Sequence, residues 1–295
     1  MRIGLWIDEE GHRIDEVGAA AKAAEDAGID RIWFSQRLGW DALTLVAGVA
    51  PYTSTIRFAA GAVPVYPRHP RALAAQALSV QAISNNRLAL VLGAGVPPVI
   101  EALHGLSMER PADYMREYVE ALTPLLAGES ANYQGDRITA RGSIDIATAE
   151  PPELLLAALG PHMLRLAAES TAGTVTTWVR PDLIESYIRP RIGPGREIIA
   201  TVCAALTQDA DTTRRWIKER FGAAGDMPAY RKVMDRGGVA GPEDTAVLGD
   251  EETVTRELER FAAAGVTEFV FCPVGSPEEQ RRTVEFAYGY AAGQQ

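Results

Sequence analysis

The stretch Ile56-Arg57-Phe58-Ala59-Ala60-Gly61-Ala62-Val63-Pro64-Val65-Tyr66-Pro67-Arg68-His69-Pro70 reads as a strand that passes through a stiff loop straight into a helix. The run from Ile56 to Val63 is apolar almost without alternation, the pattern of a strand buried on both faces, as in parallel sheets. Three prolines then fix backbone angles and remove N–H donors, so the loop can neither continue the strand nor begin the helix early. Beyond it, Ala72, Leu73, Gln76, Ala77, Val80 and Ile83 fall at helical spacing and close at Asn85-Asn86.

The same strand-then-helix unit recurs in both directions. Apolar or β-branched runs lie at Arg2 to Ile7, Arg31 to Ser35, Ile56 to Val63, Leu88 to Gly93, Leu154 to Leu159, Thr174 to Trp178, Ile198 to Leu206 and Glu268 to Cys272. Eight such runs alternating with helical segments predict a (β/α)8 TIM barrel, formed as one domain over residues 1–295. An open doubly wound sheet usually follows its first strand with a glycine-rich turn; here Asp8-Glu9-Glu10-Gly11 follows Ile7. Two segments exceed a minimal barrel: Glu129 to Pro152, after helix 4, and Gln208 to Gly249, between strands 7 and 8. The first reads as a small hairpin. The second reads as a helix from Asp211 to Phe221 and a glycine-rich loop at Gly237-Gly238. Both are placed to cover a barrel mouth.

Net charge is −10, and 47% of residues are hydrophobic. That balance supports a large core and offers nucleic acid no basic footprint. The apolar runs are too short or too broken by Gly and Pro to cross a bilayer, and the N-terminus lacks an export signal, so a cytoplasmic protein is expected. Cys203 and Cys272 each sit in an apolar run with no His or second Cys beside them in sequence, and read as reduced core residues. Metal-ligand, Walker A, nucleophile-elbow and EF-hand patterns are absent; no metal site is expected. His12, His69, His104 and His162 are isolated in sequence.

In such a barrel, function sits where strands end. Strand two ends in Ser35-Gln36-Arg37. Strand three ends in Gly61-Ala62-Val63, and its loop carries Tyr66, Arg68 and His69. Strand four ends in Gly93-Ala94-Gly95-Val96, which lets a ligand approach main-chain amides. Strand five ends in Leu159-Gly160-Pro161-His162-Met163, where outward-pointing helix amides suit a phosphate, although an ordinary strand-to-helix turn has the same appearance. Strand six ends in Thr176-Thr177-Trp178.

Taken together these loops resemble the luciferase-like family, and within it the coenzyme F420-dependent branch. The resemblance spans nearly the whole chain. It rests on Gly61 through Arg68-His69-Pro70, on Gly93-Ala94-Gly95, and on Leu159-Gly160-Pro161-His162-Met163-Leu164-Arg165-Leu166-Ala167 running to Gly173-Thr174-Val175; Ser35 to Thr44 is similar to a reductase subgroup. It implies a small-molecule oxidoreductase that binds F420, with FMN as the alternative, and that forms a homodimer. It also implies a cis peptide between Gly61 and Ala62, forming a bulge behind the deazaflavin. The cofactor set implied here is Ser35, Gln36, Gly61, Ala62, Val63, Gly93, Ala94, Gly95, Gly160, Pro161, His162, Met163, Thr176 and Thr177.

Two departures bear on chemistry. Members that oxidise alcohols or sugar phosphates carry a histidine after strand two and often a glutamate after strand four; this chain has Gln36 and Val96. Neither can take a hydroxyl proton near neutral pH. The expectation is therefore reduction: hydride from F420H2 to a C=C or C=N bond of a small organic substrate, with Gln36 and Tyr66 as candidate catalytic residues. An FMN-dependent monooxygenase and a non-catalytic flavin-binding barrel are the competing readings.

Overall fold

The computed structural model describes residues 1–294. In chain order its strands are β1 (Arg2–Trp6), β2 (Arg31–Phe34), β3 (Arg57–Pro64), β4 (Leu88–Gly93), β5 (Ala131–Gln134), β6 (Thr139–Gly142), β7 (Glu153–Ala157), β8 (Gly173–Thr177), β9 (Glu197–Leu206), β10 (Val247–Gly249) and β11 (Glu268–Pro273). The helices are α1 (Ile14–Asp26), α2 (Ala42–Val49), α3 (Pro70–Ile83), α4 (Pro111–Leu126), α5 (Pro161–Ser170), the short turns α6 (Pro181–Leu183) and α7 (Arg189–Ile192), α8 (Ala210–Phe221), α9 (Pro228–Gly237), α10 (Glu251–Ala263) and α11 (Pro277–Ala292).

Strands pair in the order β9-β11-β1-β2-β3-β4-β7-β8, and β8 pairs back onto β9, which closes eight strands into a ring. Pairing is parallel at β11–β1, β3–β4, β4–β7, β8–β9 and β9–β11. This is the (β/α)8 barrel that the sequence predicts. The insertion after α4 is an antiparallel hairpin, β5 with β6. The insertion after β9 holds α8, as read, but also α9 and the three-residue β10, which extends the far end of β9 in parallel. Among the described residues no helix is long and apolar enough to cross a membrane.

By contacts the residues fall into two compact groups. One comprises Asp8–Lys22 and Trp33–Ala157; the other comprises Met1–Ile7, Ala23–Ile32 and the chain from Ala158 onward.

In the first group, α3 begins at Pro70, with His69 as its cap. The His69 Nδ1 accepts from the Arg71 amide at 3.2 Å, and its Nε2 lies 3.0 Å from the Thr139 carbonyl in β6, so Nε2 carries the proton and donates. Tyr118, fully buried in α4, donates from its hydroxyl to the Arg68 carbonyl at 2.9 Å. These bonds anchor the β3 loop to α4 and to the hairpin.

In the second group, four strands start on a charged residue: Arg2, Arg31, Glu197 and Glu268. Arg31 and Glu268 are completely buried and 3.5 Å apart; Arg2 reaches Glu268 at 3.6 Å and Glu197 at 2.5 Å. Above this network Phe269 and Phe271 pack edge to face with Phe261 of α10 and Phe286 of α11. The two cysteines, distant in sequence, become neighbours: pairing of β9 with β11 sets Cys272 opposite Cys203. Both are free, and burial pushes the Cys203 thiol up to about 12 and the Cys272 thiol higher than usual. They remain neutral thiols, as read, although nothing in the sequence signals that they adjoin.

Candidate functional site

The β3 end is shaped by backbone. Its register against β4 breaks between Ala60 and Val63, and the Gly61–Ala62 peptide is cis. A Cβ on Gly61 would lie 2.3 Å from the Val91 Cβ, and one on Gly93 would lie 2.8 Å from the Ala62 Cβ. No side chain fits at either glycine, because β3 and β4 approach too closely there. Gly95 follows with φ +78° and a virtual Cβ 2.8 Å from Ile100, so both conformation and space require glycine.

Past this shelf, Tyr66 lies flat on Tyr114 of α4, with ring centroids 4.3 Å apart and planes 6° apart. The Tyr66 hydroxyl is buried and makes no hydrogen bond. Burial pushes its pKa up to about 12, against the pull of nearby Arg137. A buried phenol without a partner is uncommon and marks a place where a bound group or a water completes the structure.

The remaining polar residues of this group are already engaged. Arg68 is ion-paired with Asp41, which caps α2 and also accepts from Gln76 at 2.9 Å. Gln36 accepts from the Ala42 amide at 3.1 Å and donates to the Arg37 carbonyl at 3.3 Å, so its amide shapes the loop after β2. Arg37 binds Asp8, Glu9 (2.8 Å) and Glu10 (3.3 Å). Glu9 is only 2% exposed, and its Oε2 has no partner. Sequence reasoning passed over Glu9; the available signal was three consecutive acids placed where a first strand ends.

In the second group α5 starts at Pro161, with Gly160 as a cap that offers no side-chain bond and has open space where a Cβ would be. The first amides of this helix, His162 and Met163 among them, have no carbonyl within the helix to bond. Thr177 at the end of β8 is half-buried. Thr176 is fully buried and donates to the Ile199 carbonyl at 3.1 Å, which removes it from the set of side chains available to a ligand. The next residue, Trp178, has φ 56°, an uncommon conformation for a bulky side chain. It packs on Phe221 at 5.6 Å, within a cluster that joins α8 to Cys203, Ala205 and Val274.

The structure therefore brings Ser35, Gln36, Gly61 to Val63, Tyr66 and Gly93 to Gly95 into one group, and Gly160 to Met163, Thr176 and Thr177 into the other. Among the described residues no cluster of three or more His, Cys, Asp or Glu could hold a metal.

Residues 1–285 match the family model described as luciferase-like monooxygenase. The chain belongs to that family. Two curated members lie at similar distance. One is a Mycobacterium tuberculosis protein named as a coenzyme F420-dependent oxidoreductase, 26% identical over 95% of this chain and 96% of its own length. The other is the 5,10-methylenetetrahydromethanopterin reductase of Archaeoglobus fulgidus, 27% identical over 87% of this chain and 88% of its own. Among solved luciferase-like folds, an F420-dependent secondary alcohol dehydrogenase in complex with an F420-acetone adduct superposes with a TM-score of 0.82 over 99% of this chain and 97% of its own. At 17% identity that likeness speaks for the fold alone.

Proposed function

We propose that this oxidoreductase uses F420H2 to reduce a C=C or C=N bond of a small organic substrate. The observation that carries the direction is the lack of a positioned base at the two strand ends concerned. Val96 is apolar, and the Gln36 amide is committed to Ala42 and Arg37. Oxidation of a hydroxyl needs a group that accepts its proton, whereas reduction needs one that donates. Tyr66 is suited to donate: its O–H is buried, unpartnered and protonated throughout the physiological range. The names of the curated relatives support both the cofactor and a reductase.

Within each group taken by itself, the residues present suit part of a flavin-type cofactor. The uncapped start of α5 at Gly160 and Pro161 leaves the His162 and Met163 amides for a phosphate. In this reading the Gly61-Ala62-Val63 backbone, at the β3 register break, is the shelf for the ring, and Gly93, Ala94 and Gly95 border it, their glycines required by close packing on Ala62 and Ile100. In this reading Ser35 adds a polar contact in the first group and Thr177 one in the second, and Gln36 holds the β2 loop in place. Reduced F420, when bound, supplies the hydride. A single-domain protomer, a homodimer and a cytoplasmic location belong to the same reading.

The cofactor is tested by titrating purified protein separately with F420 and FMN and following binding by fluorescence. The proposal predicts saturable F420 binding that weakens when His162-Met163 is replaced by Pro-Pro, which removes both amides. Tight FMN binding with no response to F420 would overturn it.

A further inference from the structure

Among the described residues six large hydrophobic side chains stand exposed: Leu38, Trp40, Tyr52, Ile83, Leu103 and Leu106. Single exposed apolar residues are ordinary on protein surfaces, so their distribution matters more than their number. Tyr52 precedes β3 and Ile83 ends α3 before β4, which places both at the side where strands begin. The other four occupy two strand-to-helix connections, the second of which includes a helical turn over Pro98–Leu103. Leu38 (76% exposed) and Trp40 (40%) lie between β2 and α2, while Leu103 (62%) and Leu106 (37%) lie between β4 and α4. These are the strand-end loops on either side of β3, the strand that carries the glycine shelf and leads to Tyr66.

The two arginines of these loops, Arg37 and Arg110, are ion-paired, and the arginines of neighbouring segments are hydrogen-bonded within the chain. Arg37 is bound by three carboxylates, Arg68 by Asp41 and Arg110 by Asp113. Arg71 and Arg137 donate to the carbonyls of Arg141 and Glu109. Glu101, exposed between the two leucines and Gly95, adds negative charge. A carboxylated or phosphorylated substrate would find the guanidiniums of these two loops already held by carboxylates, with little to offset its lost hydration. An apolar body would instead remove four exposed hydrophobic side chains from water, each contributing in proportion to the area covered.

From this distribution we infer that the substrate is uncharged and mainly apolar, an enone or imine whose body is held by Leu38 and Trp40 on one side of the β3 loop and by Leu103 and Leu106 on the other. The inference rests on the reductase reading for the reacting bond, and on the loops alone for the apolar body.

The test uses a matched pair, benzylideneacetone and its para-carboxylate. Turnover is measured anaerobically with F420H2, and binding to cofactor-free protein by calorimetry. The neutral enone should be favoured by about tenfold or more in both kcat/KM and affinity, the order of discrimination that an apolar pocket gives. The Trp40→Ser/Leu103→Ser variant should bind the neutral enone several-fold more weakly and leave the affinity for the carboxylate unchanged. Equal or better handling of the carboxylate overturns the inference, as does failure of the neutral enone to bind. It also falls if the variant changes only the mass seen by light scattering, which would make these loops a contact between copies. If the neutral enone binds as described but F420H2 is never oxidised, the reductase reading fails and the apolar site stands.

Discussion

Tyr66 combines two properties that pull in opposite directions. Its ring is held against Tyr114, while its hydroxyl is enclosed without a partner. An unsatisfied buried hydroxyl costs about 1–3 kcal/mol, so Tyr66→Phe should leave the melting temperature unchanged or slightly raised. If Tyr66 delivers the proton, the same substitution should lower kcat by about 10²-fold or more. Calorimetry and steady-state kinetics on one preparation separate the outcomes: a variant that is stable and fully active removes Tyr66 from the mechanism. Because burial raises this phenol to about 12, its donor form persists as pH rises, and activity should show no alkaline loss from Tyr66 between pH 7 and about 10.

Arg37 offers a second test at this scale. It neutralises the buried carboxylate of Glu9, and removing one partner of such a pair typically costs about 3–5 kcal/mol. Urea unfolding of Arg37→Met should show a loss of that order; a change below about 1 kcal/mol would mean that Glu9 is not held by this pair. Individual side chains were the least legible part of the sequence. Arg68 and His69 stand in the β3 loop as two cations whose partners the sequence leaves open; one pairs with Asp41 and the other caps α3 and bonds Thr139. Their partners lie 27 and 70 residues away, so only the folded chain could assign them.

At the level of elements, the eight barrel strands were legible because parallel strands covered on both faces are continuously apolar. The hairpin and α8 were legible as well. What escaped were α9, in which only Val233 and Met234 are buried, and β10, which has three residues; neither carries enough apolar positions to give a period. The β3–β4 contact makes a sharp prediction. Gly61→Ala sets a methyl into Val91, and overpacking of this kind costs about 1–3 kcal/mol. Val91→Ala in the same chain should recover part of that loss, because the two positions touch. Additive losses in chemical unfolding would contradict the contact.

The charged strand starts make another prediction. Burial alone would raise the Glu197 carboxyl, but bonds from Thr267 and Arg2 hold it below its ordinary 4.5. A depressed folded-state pKa contributes stability above the unfolded value and loses it as pH falls through the folded one. Acid unfolding of Glu197→Gln should therefore be shallower below about pH 4.5 than that of the wild type, and identical acid limbs would count against the network.

For the molecule as a whole, composition excluded more than it identified. A net charge of −10 argued against nucleic acid, and the strand-helix alternation gave the barrel, but neither indicated a cofactor. The family came from loop sequences at strand ends, where Gly61, Gly93, Gly95 and Gly160 record backbone shape in residue identity. Substrate preference was illegible because it depends on which surface cations are already paired, a property of the fold.

The most direct test of the central claim is an anaerobic single turnover with F420H2 deuterated at its hydride-donating carbon and benzylideneacetone as acceptor, with the product analysed by mass spectrometry. The account predicts oxidised F420 and a saturated ketone carrying one deuterium on carbon. Reduced F420 that persists unchanged before every enone and imine offered, or a product with no deuterium, would contradict it.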